Sequence, residues 1–364
     1  MPAPLLRPDA GLDPTRPEYA DSVRAALLGG ALGDAVGHLA ASAAGPRVPD
    51  RWAGDAPVLR ISADTQLALY TLDGLQEVVE WANDGQGADE TACLWLAYLR
   101  WLRTQGEPHP AEAPRPLPRR IDDDESLHAV RAPGSTVLRA LRTGRMGEVE
   151  RPLLPEAQDS GTLARSVPFG LLPHVGWRTI APVAVNGAAL THGHPEAQTS
   201  AAVHGFVVHA AVQARLQGVR HPVAAAVAAA RQTAEHLTRP VAETLARIDE
   251  AVAARTAGVA DEPTRPLGEG RTAPETLAGG LRAALRAEAE SPAGADPAEV
   301  FRRAVEIAAA HGGDPEAAGA VAGAVVGAAL GTAALPPRWV ERLDARDAVS
   351  AAADRWLREV GAGA

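Results

Sequence analysis

Acidic and hydroxyl side chains gather in a few short stretches of this chain. In "GGDPEAAGAVAGAVVGAALG" (312–331), Asp314 and Glu316 stand just ahead of 19 uncharged residues, 317–335. Such a pair could be a catalytic acidic cluster, a helix cap or the flank of a membrane span. In Ser62-Ala63-Asp64-Thr65 a hydroxyl precedes a carboxylate by two positions, and Asp34 lies among glycines in "GGALGDAVG" (29–37). "THGHPE" (191–196) spaces two histidines as H-x-H, but no third ligand accompanies them, so the pattern falls short of a zinc site. The single thiol, Cys93 in "TACLWLAYL", has apolar neighbours and reads as buried and inert.

The two acidic stretches also carry helix-start chemistry. Asp314 suits an N-cap, Pro315 the first helical position, and Glu316 the positive end of the helix dipole. Ser62 suits the cap of a helix containing Asp64. Capping and ligation are compatible, because a capping carboxylate keeps a second oxygen. The uncharged run is long enough to cross a bilayer. Its alanine and glycine content is nearly neutral in transfer to lipid, and it ends in Pro-Pro, so the expectation is a buried core helix.

The elements that must position these residues are helices. Apolar side chains in 22–40 fall at Leu27, Leu28, Leu32, Val36 and Leu39, a helical period, and 63–84 and 88–106 read the same way. Residues 107–125 are rich in proline and acids and read as loop. Two polar, glycine-containing segments lie within 131–170, and from 178 onward helix follows helix. The expected fold is all-α, with a flexible N-terminal arm over 1–18 and a compact single domain over 19–364. Glycine recurs every fourth residue at Gly319, Gly323, Gly327 and Gly331, and again at Gly29, Gly33 and Gly37. Each interior helical glycine costs about 1 kcal/mol against alanine. Close approach of two backbones would repay this, which places the two smooth faces near each other in the core.

Composition narrows the function. A net charge of −10 and a pI near 5.6 speak against nonspecific binding to nucleic acid or acidic membranes. All 35 basic residues are arginine, which excludes a lysine Schiff base and a P-loop lysine. One cysteine allows no intramolecular disulfide, and the proline-rich start lacks the apolar core of a signal peptide. The expected compartment is the cytoplasm.

Taken in order, "GGALGDAVG", "SADTQLAL" (62–69), "RAPGSTVLRAL" (131–141), "SGTLARSVPFGLL" (160–172), "LTHGHPEA" (190–197), "GGDPEAAGAVAGAVVGA" (312–328) and "ALPPRWVERLDARD" (334–347) resemble the motifs of the ADP-ribosylglycohydrolase family. That family includes the dinitrogenase-reductase-activating glycohydrolases. The resemblance covers nearly the whole chain. It implies an all-α fold with Mg²⁺ at the base of a cleft and cleavage of the glycosidic bond between ADP-ribose and a protein side chain or small molecule. Mg²⁺ demands oxygen ligands and keeps several waters, so carboxylates and hydroxyls must converge.

Carried over by motif, the implied metal residues are Ser62, Asp64, Asp314 and Glu316, with Asp314 and Glu316 also the catalytic candidates. Gly134, Ser135, Ser160, Gly161 and Thr162 are implied contacts of ribose or phosphate; turn chemistry is their alternative role. His192 is implied as scaffold, and Asp34 as either a support of the site or a satisfied core acid. The chain departs from the family where metal is held. Ala63 stands where the pattern has an aspartate, Glu316 where it has an aspartate, and Ala317 where it has a hydroxyl. Three carboxylates offset three of the four positive charges two Mg²⁺ would bring, so at most one tightly held Mg²⁺ is expected, with weakened hydrolysis. The alternative is a non-catalytic protein that binds ADP-ribose or a nucleotide on the same fold. The expected partner is an ADP-ribose-type molecule or an ADP-ribosylated protein, with no nucleic acid and no membrane.

Overall fold

The computed structural model describes residues 4–42, 58–254, 268–292, 294–310 and 312–362. Among them are fourteen α-helices and no strand beyond three isolated β-bridges. The helices are α1 (Pro17–Ser42), α2 (Ala63–Asn83), α3 (Glu90–Thr104), α4 (Ser135–Arg142), α5 (Val167–Gly170), α6 (Trp177–Ala189) and α7 (Pro195–Leu216). They continue as α8 (Pro222–Ala234), α9 (Ala242–Ala253), α10 (Ala273–Glu290), α11 (Pro297–Ala309), α12 (Pro315–Leu330), α13 (Pro337–Arg342) and α14 (Arg346–Glu359). The all-α expectation holds.

Local chemistry starts these helices where the sequence places them. Ser62 Oγ accepts from the Asp64 amide at the start of α2, and Asp314 accepts from the Ala317 amide at the start of α12. Thr272 and Glu275 form a capping box on α10. His194 caps α7, with Pro195 at its first position.

The uncharged run is the buried centre of the molecule. Every residue of α12 from Ala317 to Ala329 is buried, among α1, α7, α10 and α11. No helix of the described residues is long and apolar enough to cross a membrane. The glycine faces of α1 and α12 meet: Gly29 lies against the Gly323 carbonyl, Gly33 against Gly319, and Gly37 against Pro315. One contiguous apolar core runs from Leu6 to Leu357.

The N-terminal segment, expected to be free, is docked along residues 4–16. Leu6 and Leu12 are buried, His174 N–H donates to the Leu12 carbonyl at 2.9 Å, and Trp177 N–H donates to that of Arg7 at 3.0 Å. Gly176 admits this segment, since a Cβ there would run into the Arg7 and Pro8 carbonyls. Two apolar anchors and paired backbone outweigh the local preference of a proline-rich stretch for solvent.

Candidate active site

The starts of α2 and α12 open on one cleft of about 420 Å³. Ser62 and Asp64 come from the first, Asp314 and Glu316 from the second. Gly134 and Ser135, at the start of α4, and Ser160 and Gly161, in the turn Ser160–Thr162, line the same cleft. Thr162 does not. It is fully buried and its hydroxyl donates to the Ala197 carbonyl at 3.1 Å, because the tight turn rotates it away from Ser160 and onto α7. Its expected contact with ribose or phosphate is corrected to a structural one.

Asp34 supports the cleft from below. Wholly buried on α1, its Oδ2 accepts from the Ser62 amide at 2.9 Å, the Thr65 amide at 3.2 Å and the Thr65 hydroxyl. It thereby holds the first turn of α2 in place. Its Oδ1 has no partner among the described residues. Burial, opposed by these hydrogen bonds, pushes its carboxyl up to about 6. Of the two roles open from sequence, support of the site is the one its contacts fit.

The acids at the cleft differ in how far they are satisfied. Asp314 uses Oδ1 on the Ala317 amide at 3.0 Å and Oδ2 on the Ser160 hydroxyl. Burial raises its pKa, and the charges of Glu316 and Asp159 add to the rise. For Glu316, burial is outweighed by the His38 ring, whose Nδ1 lies 3.3 Å from Oε1, so its pKa falls. The Asp64 carboxylate has no hydrogen-bond partner among the described residues. Burial, then the charges of Asp314, Asp34, Glu316 and Asp159, push it well above the usual carboxylate range. Negative charge at Asp64 is thus uncompensated by protein.

A fifth acid, Asp159, went unread in the sequence. It precedes Ser160-Gly161 and lines the cleft. It accepts from Thr136 Oγ1 at 2.5 Å, His192 Nε2 at 2.9 Å and the Gly161 amide at 3.3 Å. Burial acts to raise its pKa, but His192 and Thr136 outweigh it and hold the carboxyl far below the usual range. Behind it runs a buried relay: Arg165 donates to Thr191 Oγ1 at 2.6 Å, and Thr191 Oγ1 lies 2.7 Å from His192 Nδ1. The Asp159 carboxylate can only accept, so His192 Nε2 carries a proton; burial lowers the ring's pKa and favours its neutral form, whose Nδ1 then accepts from the Thr191 hydroxyl. His192 is scaffold in this sense. Thr136 and Arg271 are further cleft residues that sequence reasoning missed; an aspartate ahead of Ser-Gly, a turn signal, was the available clue. Cys93 is buried away from this cleft, its thiol pushed up to about 11 by burial.

Two helix starts thus gather carboxylates and hydroxyls over a polar cleft in an all-α scaffold, and no cysteine or lysine is among the residues that line it. A model of the family described as ADP-ribosylglycohydrolase matches residues 15–363, and the chain belongs to that family. A solved structure titled "ADP-ribosylglycohydrolase-related protein complex" is similar over 94% of this chain and 99% of its own, at 23% identity and a TM-score of 0.53. At that identity the likeness speaks for the fold. The comparison with curated proteins gives no match.

Proposed function

We propose that the cleft hydrolyses an ADP-ribosyl glycosidic bond, on a protein side chain or a small molecule, with a thinned metal site. The observation that carries this reading is the meeting of Ser62, Asp64, Asp314, Glu316 and Ser160 in one cleft, in a chain whose family membership spans nearly its full length.

The donor set tests the implied metal. The cleft offers carboxylate and hydroxyl oxygens, which suit a hard cation. Yet no three Asp, Glu, His or Cys side chains among the described residues stand together as a ready metal cluster. Ser62 Oγ, both Asp314 oxygens and Glu316 Oε1 already have partners, leaving Asp64 as the uncommitted ligand. This fits one Mg²⁺ held mainly by Asp64 with Ser62, Asp314 and Glu316 nearby and most of its water kept; it does not fit a pair. When bound, such an ion would offset part of the acids' charge and orient the ribose hydroxyls.

The chain's own groups supply the rest. Asp314 and Glu316 face the cleft, where a carboxylate can hold a water and accept its proton as that water displaces the aglycone from the anomeric carbon; the glycosidic bond breaks and the departing group takes up a proton in turn. Gly134, Ser135, Ser160 and Gly161 present backbone and hydroxyl groups to ribose and phosphate. Asp159, kept ionised by His192, anchors the turn that carries Ser160. Exposed Arg271 adds a positive charge at the rim for phosphate.

The second reading, a protein that binds ADP-ribose without cleaving it, is favoured by Ala63 and Ala317, which provide no ligand atoms. Its setting is proposed as cytoplasmic. Incubation with ADP-ribosyl-arginine and ADP-ribosyl-serine peptides, with and without Mg²⁺, separates the readings. Release of ADP-ribose that is lost in Asp314→Asn supports hydrolysis. Binding of ADP-ribose with no release over days supports the second, and neither binding nor release would remove both.

A further inference from the structure

The later turns of α2 border a second, open cavity, of about 670 Å³, walled also by the turn Arg120–Asp123 and by α14. It shares no lining residue with the acidic cleft. Gln76 on its wall stands about 18 Å along α2 from Asp64, at 1.5 Å per residue.

The acids deep in this cavity are already matched. Buried Asp73 accepts from Arg100 Nη2 at 2.5 Å and from Arg119 Nε at 2.9 Å. Glu80 takes Arg119 through both oxygens, at 2.9 and 3.0 Å, and the Gln76 amide at 2.7 Å. A cation therefore finds no free carboxylate at the floor. Three arginines on the wall, Arg120, Arg355 and Arg358, are the reverse case. Their guanidinium groups make no ion pair or hydrogen bond with any described residue, and the rim carboxylates of Asp123 and Glu359 pair with none of them. Arg355 is half-buried, and burial together with the charges of Arg358 and Arg120 disfavours its positive charge.

We propose that this cavity binds a phosphorylated small molecule through Arg120, Arg355 and Arg358. Three neighbouring guanidiniums repel one another until an anion enters. Their planar forks match phosphate oxygens, two N–H groups at a time. The volume falls in the range of small-molecule sites and exceeds what one phosphate fills. Among the lining residues only Pro118 is apolar, so the rest of the ligand is polar as well.

The test is calorimetric titration of the full chain with inorganic pyrophosphate in metal-free, low-salt buffer, with inorganic phosphate and citrate as further arms. The expected result is saturable pyrophosphate binding, weaker for phosphate, weakening as salt rises. Arg355→Gln and Arg358→Gln should each lower affinity roughly tenfold, while Gly87→Ala, which lines neither cavity, leaves it unchanged. Arg120 and Arg358 are exposed, so their variants keep the test sound should Arg355→Gln fold poorly. No binding at millimolar pyrophosphate, equal affinity in the Arg120→Gln/Arg358→Gln protein, or tighter binding of citrate would overturn the proposal.

Discussion

Gly33 of α1 and Gly319 of α12 lie backbone against backbone, and a Cβ on either would run into the other's carbonyl oxygen. Gly29 and Gly323 repeat the contact one turn along, and Gly37 meets Pro315 at the start of α12. The seam therefore ends beside Asp314 and Glu316. Close packing of α1 on α12 fixes the core, and it also sets the acids of α12 against Asp34 and His38 of α1.

Substitutions in the seam should be costly. Gly323→Leu or Gly327→Leu forces two helices apart; overpacking costs typically about 1–3 kcal/mol, and more where backbone must move. Even Gly323→Ala should lower Tm by several degrees. Gly87→Ala, in open space, is the control. A Gly323→Leu protein melting with the wild type would show the seam to be loose.

Much of this was legible because local and tertiary chemistry agree. Asp314-Pro315-Glu316 reads as a helix start and is one, and the four-residue glycine period forecast the α1–α12 contact. Asp159 was not legible, because its role comes from His192 and Thr136, distant in sequence and joined only by the fold. Thr162 was misjudged for a similar reason: three consecutive residues of a tight turn point in different directions, and only Ser160 and Gly161 reach the cleft. The docking of residues 4–16 depends on partners at 173–178, which a composition of prolines does not announce.

The relay behind Asp159 gives a second prediction. His192→Ala removes one of three hydrogen bonds to Asp159 and strands the Thr191 hydroxyl, a loss of about 1–3 kcal/mol for buried polar groups left unpaired. The Asp159 carboxyl should rise toward its ordinary range, and ADP-ribose affinity should fall as the turn at Ser160 loosens. Carboxyl ¹³C titration and Tm measure both. An Asp159 that stays strongly acidic in this variant would show His192 to be a bystander.

Acid should weaken the fold through α7. His204 and His209 are buried, and burial outweighs their hydrogen bonds to the Leu163 and Gly170 carbonyls, pushing both rings down to about 4. The unfolded chain titrates them near 6.5. Between these values the unfolded state binds more protons, so stability falls as pH drops through about 6.5 and levels off near 4. The two together contribute several kcal/mol, at about 1.4 kcal/mol per pH unit of displacement. Asp34 works the other way: its carboxyl, raised to about 6, favours the folded state as pH falls through that value, and offsets part of the loss. Denaturant midpoints at about pH 7 and about pH 5 should differ clearly, and less so in His204→Asn/His209→Asn. An identical pH slope in that double variant would place the acid sensitivity elsewhere.

The proposed thinning of the metal site is testable through its charge. Ala63 is buried at the first turn of α2, its amide donating to the Arg131 carbonyl at 2.9 Å, and Ala317 is buried at the first turn of α12. Asp64 between them already carries a carboxyl raised by burial and by Asp314, Asp34, Glu316 and Asp159. Ala63→Asp with Glu316→Asp and Ala317→Ser adds one carboxylate and one hydroxyl to this crowded place. Without metal, the added like charge should destabilise the variant relative to wild type. With Mg²⁺ the order should reverse, because ligand binding to the folded state alone stabilises by RT ln(1 + [Mg²⁺]/Kd), and the variant's Kd should be at least about tenfold lower. Melting curves across a Mg²⁺ series read both effects, independently of any catalysis. If the wild-type chain already gains as much from Mg²⁺ as the variant does, its own oxygens complete the site, and Ala63 and Ala317 cost it nothing.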